Sequence, residues 1–103
     1  MMCRVADMHG MTCTARIPNT ETDTILRTFD RGLMGILCPH VDNADQAHQI
    51  AMASRFGPIG ERSFGTSRGR DYGMHDMTAA EYMAAFNREV TVAIQIETKN
   101  AVD

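Results

Sequence analysis

Four residues of this 103-residue chain have the types and positions that chemistry requires: Arg16, His40, Gln95 and Glu97. Gln95 and Glu97 stand two apart in Ile94-Gln95-Ile96-Glu97-Thr98, so on an extended strand their side chains point the same way. A carboxylate beside a carboxamide can hold a hard divalent cation and its ligand, because such ions take oxygen donors. A carboxylate at a strand end is equally suited to capping a helix or pairing with a cation, and spacing alone leaves these readings of Glu97 open. Arg16 and His40 each fall where an apolar run gives way to Pro or polar residues, the carboxyl end of a strand. That edge is where both barrels and open α/β sheets bind ligands.

The elements that must position these residues alternate along the chain. Residues 3–8 read as the last turns of a helix closed by Gly10, and 11–17 as a buried strand stopped by Pro18. Thr20 with Asp23 forms a capping pattern ahead of a helix whose apolar face is Ile25, Leu26 and Phe29, ended by Gly32. Residues 35–41 form the second strand. Asn43 with Gln46 opens an alanine-rich helix whose Ala47, Ile50, Ala51 and Phe56 face a sheet, and Gly57-Pro58 ends it. Residues 57–77 carry five glycines and little periodicity, the mark of a long loop. Thr78 with Glu81 starts a helix running through Tyr82, Met83 and Phe86 to Arg88, and 90–96 is the third strand. Thr98 is placed to cap a further helix. Alternation with mostly apolar strands predicts an α/β fold with a parallel sheet of about three strands, and leaves barrel and open sheet both standing.

Composition narrows the function classes. The chain is 44% apolar and 22% charged, ordinary for a globular domain, and its net charge of −3 with a pI near 5.7 argues against a nucleic-acid partner. No apolar run approaches the ~20 residues of a membrane span, and no secretory leader pattern occurs, so the reading is a cytoplasmic protein with no membrane partner. Three cysteines, Cys3, Cys13 and Cys38, make no paired framework and are expected to be free thiols. Cys3, His9 and Cys13 have metal-binding types but match no standard zinc spacing. The nine methionines are read as adaptable packing.

Taken in order, Ala15-Arg16-Ile17-Pro18, Gly35-Ile36-Leu37-Cys38-Pro39-His40-Val41 with Asn43-Ala44-Asp45-Gln46-Ala47, Gly60-Glu61-Arg62-Ser63-Phe64-Gly65 and Gln95-Ile96-Glu97-Thr98 resemble the HpcH/HpaI aldolase/citrate lyase family. Within it they are most similar to the branch that cleaves 4-hydroxy-2-oxoheptanedioate and 2-dehydro-3-deoxyglucarate. The resemblance covers essentially the whole chain and implies that residues 1–103 are the central fragment of a single (β/α)8 TIM barrel of the phosphoenolpyruvate/pyruvate-binding type. A full barrel is about 250 residues, so roughly two-fifths of one is expected here. The implied activity is that of a class II pyruvate aldolase, a carbon–carbon lyase that cleaves a 4-hydroxy-2-oxo acid reversibly to pyruvate and an aldehyde. Its implied cofactor is a divalent ion, Mg, Mn or Co, and its implied assembly a homo-hexamer.

Residue by residue, the resemblance makes Glu97 a metal ligand and Gln95 a substrate contact. It makes Arg16 the arginine that binds pyruvate and stabilises its enolate, and Asp30 the acid that raises the basicity of a catalytic histidine. As purely structural readings, Arg16 is an ion-pair partner and Asp30 a solvated charge in the last helical turn. His40 receives a supporting or packing role, and Arg62, Arg68 and Arg70 are either anion or subunit contacts or a solvated loop. The family's base histidine, in Asp-x-Glu-His, and its second metal carboxylate, in Gly-Pro-x-Asp-Leu, do not occur in the chain. His9 cannot replace the base, because a residue ahead of the first strand lies at the amino-terminal edge. The chain alone is therefore expected to be inactive. An acyl-CoA lyase of the citrate or malyl-CoA type, and a truncated barrel acting as a non-catalytic assembly module, are the rival expectations.

Overall fold

The computed structural model describes residues 2–65 and 77–102. Helix α1 (Met2–Met8) stops at Gly10, whose φ of 67° lies in the left-handed region that a side chain resists. The N–H groups of His9 and Met11 both donate to the Ala6 carbonyl, at 3.0 and 2.8 Å, and turn the chain toward β1 (Thr14–Arg16). There follow α2 (Thr22–Asp30), β2 (Gly35–Cys38), α3 (Ala44–Ser54), α4 (Ala79–Glu89), β3 (Thr91–Ile94) and α5 (Lys99–Val102). The strands form one parallel sheet in the order β1-β2-β3, with Arg16, Leu37 and Ala93 in register.

Three of the four expected helix caps are formed, that of Thr98 among them. The Asn43 side chain accepts from the Gln46 N–H at 2.9 Å, and that of Thr78 from the Glu81 N–H at 3.2 Å. The Thr20–Asp23 cap is not. Helix α2 starts at Thr22 behind Glu21, which makes no side-chain cap bond, because Asn19 Oδ1 accepts the Glu21 N–H at 3.0 Å and sets a tight turn after Pro18 instead. Phe56 also lies beyond its helix, which ends at Ser54, yet it is buried. The strands are shorter than their apolar runs. Backbone pairing continues past them, for example from Ile17 N–H to the Leu37 carbonyl and from Gln95 N–H to the Cys38 carbonyl, but the chain is already turning there.

The core lies on one face of the sheet. Ile36 and Cys38 of β2 pack with Ile25 and Phe29 of α2, Ile50 of α3 and Phe86 of α4, all nearly or fully buried. Alternate strand residues Thr14, Arg16, Thr91 and Ala93 stand on the other face, where they are exposed or half-exposed. Helices α2, α3 and α4 on a single face are what a barrel wall has; a doubly wound sheet carries helices on both.

After α3 the chain is fastened by backbone. Glu61 N–H donates to the Met52 carbonyl at 2.7 Å and Arg62 N–H to the Arg55 carbonyl at 2.8 Å. A side chain at Gly60 would overlap the Arg55 carbonyl group, so glycine is required for this approach. From α4, Asn87 brackets Phe56 by accepting its N–H at 2.8 Å and donating to its carbonyl at 3.1 Å. Residues 66–76, with Arg68 and Arg70 among them, lie outside the described residues.

Candidate functional site

The carboxyl edge of the sheet gathers side chains from all three strands. Arg16 closes β1 and donates through Nε to Gln95 Oε1 at 2.8 Å, reaching past the end of β2 to do so. Its terminal nitrogens bond to none of the described residues and remain open to an anionic group. Gln95 is held in turn by its backbone, which donates to the Cys38 carbonyl at 2.8 Å. Gln95 and Glu97 lie just beyond β3 rather than within it.

Glu97 meets the tail of β2. One of its oxygens, Oε2, lies 2.9 Å from His40 Nδ1 and 3.3 Å from the His40 backbone nitrogen, which donates to it. The other oxygen accepts no hydrogen bond among the described residues. His40 has a φ of 53°, rare for a residue with a side chain. Its own side chain is 69% exposed, so it does not pack in the core. Arg16, Gln95, His40 and Glu97 thus form one row along a single edge.

Asp42, which residue types alone did not single out, and Thr98 tie this row to the helices behind it. Thr98 Oγ1 donates to Asp42 Oδ1 at 2.6 Å and accepts the Ala101 N–H at 3.3 Å, so it caps α5 as expected. The Asp42 N–H donates to Gln46 Oε1 at 2.7 Å. The signal was faint, since an acid just ahead of the Asn43 cap resembles any carboxylate near a helix start. Behind these turns is a mostly apolar hollow of about 190 Å³ lined by Val41, Ala44, Ala47, Ile94, Ile96 and Ala101, with Asn43 as its polar residue.

Asp30 is set apart from the row. It ends α2 five residues before β2 begins, at the amino-terminal edge of the sheet, and pairs with Arg62 Nη2 at 3.2 Å. Arg62 is not solvated. Its side chain is 2% exposed, with the guanidinium carbon 4.3 Å from the ring centre of Phe86, 4.5 Å from Phe56 and 5.3 Å from Phe29. Desolvation there lowers its pKa, and the hydrogen bond to Asp30 works against that shift. Its Nε and Nη1 face rings without an oxygen acceptor, which suits a charge held by π faces rather than by a ligand. Sequence could not reveal this box, because an arginine in a glycine-rich segment carries no local sign of distant aromatic partners.

His9 sits in the turn leading into β1, at the edge away from Glu97. The three cysteines are free. Burial and then the neighbouring Cys13 raise the pKa of Cys3, and burial raises that of Cys38. Among the described residues no group of three or more His, Cys, Asp or Glu side chains could enclose a metal ion, and no helix is long and apolar enough to cross a membrane.

Residues 3–103 match the model of the HpcH/HpaI aldolase/citrate lyase family. The chain belongs to that family. A 4-hydroxy-2-oxovalerate aldolase of Novosphingobium aromaticivorans is 38% identical over 93 residues, covering 88% of this chain and 34% of the relative. A 2-keto-3-deoxy-L-rhamnonate aldolase of Shigella sonnei is 40% identical over 81 residues, or 77% and 29% of the two. The crystal structure of an HpcH/HpaI aldolase from Desulfitobacterium hafniense superposes with a TM-score of 0.88 at 29% identity, covering 98% of this chain and 38% of that one. This HpcH/HpaI chain therefore spans about a third of the length of the curated relatives it matches. Its three parallel strands and one-sided helices are part of a TIM-type barrel wall.

Proposed function

We propose that this HpcH/HpaI segment is the central part of a single-domain, divalent-metal-dependent pyruvate aldolase, and that its carboxyl edge supplies half of the active site. The observation that carries this reading is the row of Arg16, Gln95 and Glu97 on one edge, with Arg16 bonded to Gln95. The named relatives are aldolases of 4-hydroxy-2-oxo and 2-keto-3-deoxy acids, which supports a substrate of that class.

Glu97 is a hard oxygen donor with one oxygen accepting no other bond among the described residues, which fits an Mg, Mn or Co ion better than a soft one. Such an ion, when bound, polarises the oxo group of the 2-oxo acid as a Lewis acid. Gln95 and Arg16 bind that acid, and the Nε bond to Gln95 fixes the guanidinium plane. The open nitrogens of Arg16 complement the charge that develops on the oxo oxygen as the C3–C4 bond breaks and the aldehyde leaves. The reaction also needs a base for the 4-hydroxyl proton, a role that none of these residues fills.

The test uses the complete polypeptide that carries this segment, with a 4-hydroxy-2-oxo acid and Mn²⁺. Glu97→Ala is expected to lose Mn²⁺ binding, and Arg16→Ala to lower kcat by about 10²–10³ with the ion still bound. Pyruvate release unchanged in Glu97→Ala overturns the reading. Cleavage of a CoA thioester in preference to the oxo acid would assign the segment to the lyase side of the family.

A further inference from the structure

The backbone at the end of β2 departs from a regular parallel ladder in one place, and the departure is aimed at Glu97. With Leu37 opposite Ala93 and Cys38 opposite Ile94, Pro39 comes opposite Gln95. Regular pairing then has Gln95 donate to the Cys38 carbonyl and accept from His40. The first bond is present at 2.8 Å, but the Gln95 carbonyl accepts from Val41 instead, at 3.3 Å. The ladder skips His40. An extra residue of this kind re-aims side chains and recurs beside active sites. It is reached here by a φ of 53°, a conformation that persists in a non-glycine residue only where its surroundings hold it.

We propose that His40 is a positioning residue for Glu97. The backbone N–H freed from the ladder donates to Oε2, and the imidazole Nδ1, 2.9 Å from the same oxygen, is placed to donate its proton there too, fixing the carboxylate so that its other oxygen is left for a divalent cation. Two donors from one residue on one oxygen define the carboxylate plane better than either alone. Metal-binding carboxylates are generally held by such outer partners, whose loss weakens metal affinity. A histidine also tolerates the left-handed conformation better than most residues, as does asparagine, whose amide nitrogen comes close to the place of Nδ1.

The inference rests on Glu97 being a metal ligand, and the experiment separates the two. In the complete polypeptide, Mn²⁺ affinity is measured by electron paramagnetic resonance for wild type, His40→Gly, His40→Asn and Glu97→Ala. His40→Gly keeps the backbone N–H and relieves the strain but removes the imidazole; it is expected to bind Mn²⁺ about tenfold or more weakly. His40→Asn is expected to stay much closer to wild type. If His40→Gly binds as tightly as wild type, the residue serves only the backbone turn and the proposal fails; equal weakening in both variants overturns it too. Unaltered affinity in Glu97→Ala instead sinks the metal reading. The positioning role then stands or falls by ¹⁵N NMR of the metal-free protein, above the ordinary imidazole titration range. It requires His40 to carry its proton on Nδ1 in wild type and to move it to Nε2 in Glu97→Ala. A wild-type proton on Nε2 overturns it.

Discussion

Arg16 and Gln95 are 79 positions apart in the chain and 2.8 Å apart in space. Residue type made both legible as candidates, because an arginine before Pro18 and a carboxamide two residues from a carboxylate stand out against apolar strands. Their bond was not legible, since it depends on β1 and β3 flanking β2 in register. The bond has a consequence for catalysis under the proposed function. If Gln95 orients Arg16 as well as touching substrate, the two residues act as a unit and their losses do not add. Gln95→Ala should lower kcat/KM substantially in the wild-type background and much less in Arg16→Lys, which has already lost the Nε donor. Equal proportional losses in both backgrounds would show that the two residues contribute independently.

Among the elements, helices were the easier to read. Asn43 and Thr78 cap the helices they were expected to cap, because a side-chain oxygen three residues ahead of a free N–H is a purely local device. Strand ends were blurred, because the apolar runs continue into segments where Pro39 and the left-handed His40 have already turned the chain. The most misleading segment was the one after α3, where Arg62 reads as either an anion or subunit contact or a solvated charge and proves to be buried among Phe29, Phe56 and Phe86. Its carboxylate partner among the described residues is Asp30, from the end of α2. Removing one member of a buried ion pair costs about 3–5 kcal/mol, and Asp30→Ala should fall toward the lower figure because Asp30 keeps 39% of its side chain exposed. Thermal or denaturant melts of the complete polypeptide measure this directly. If Asp30 instead acts through a catalytic histidine, Asp30→Ala will spare the melting midpoint and shift the pH profile of kcat.

At the scale of the whole molecule, alternation of strand and helix gave away the α/β class but could not choose between a closed barrel and an open sheet, since both produce the same order of elements. The choice appears in three dimensions, where α2, α3 and α4 cover one face and leave Thr14, Arg16, Thr91 and Ala93 on the other. Among the described residues, β1 and β3 each have a strand neighbour on one side only. Met2, Met8 and Ile96 are strongly exposed as well. Unpaired strand edges beside apolar surface favour association with any complementary chain. The 103-residue polypeptide produced alone should therefore bind hydrophobic dyes, sediment as mixed oligomers and melt without a sharp transition. Within a polypeptide of the relatives' length, the same residues should melt cooperatively, because further strands pair both edges and cover the open face. A single defined oligomer of the isolated polypeptide with a steep melt would favour the assembly-module reading. A stable monomer with a steep melt and no dye binding would show that this one-sided sheet sustains itself, and would remove the physical reason for expecting it to need the rest of a barrel.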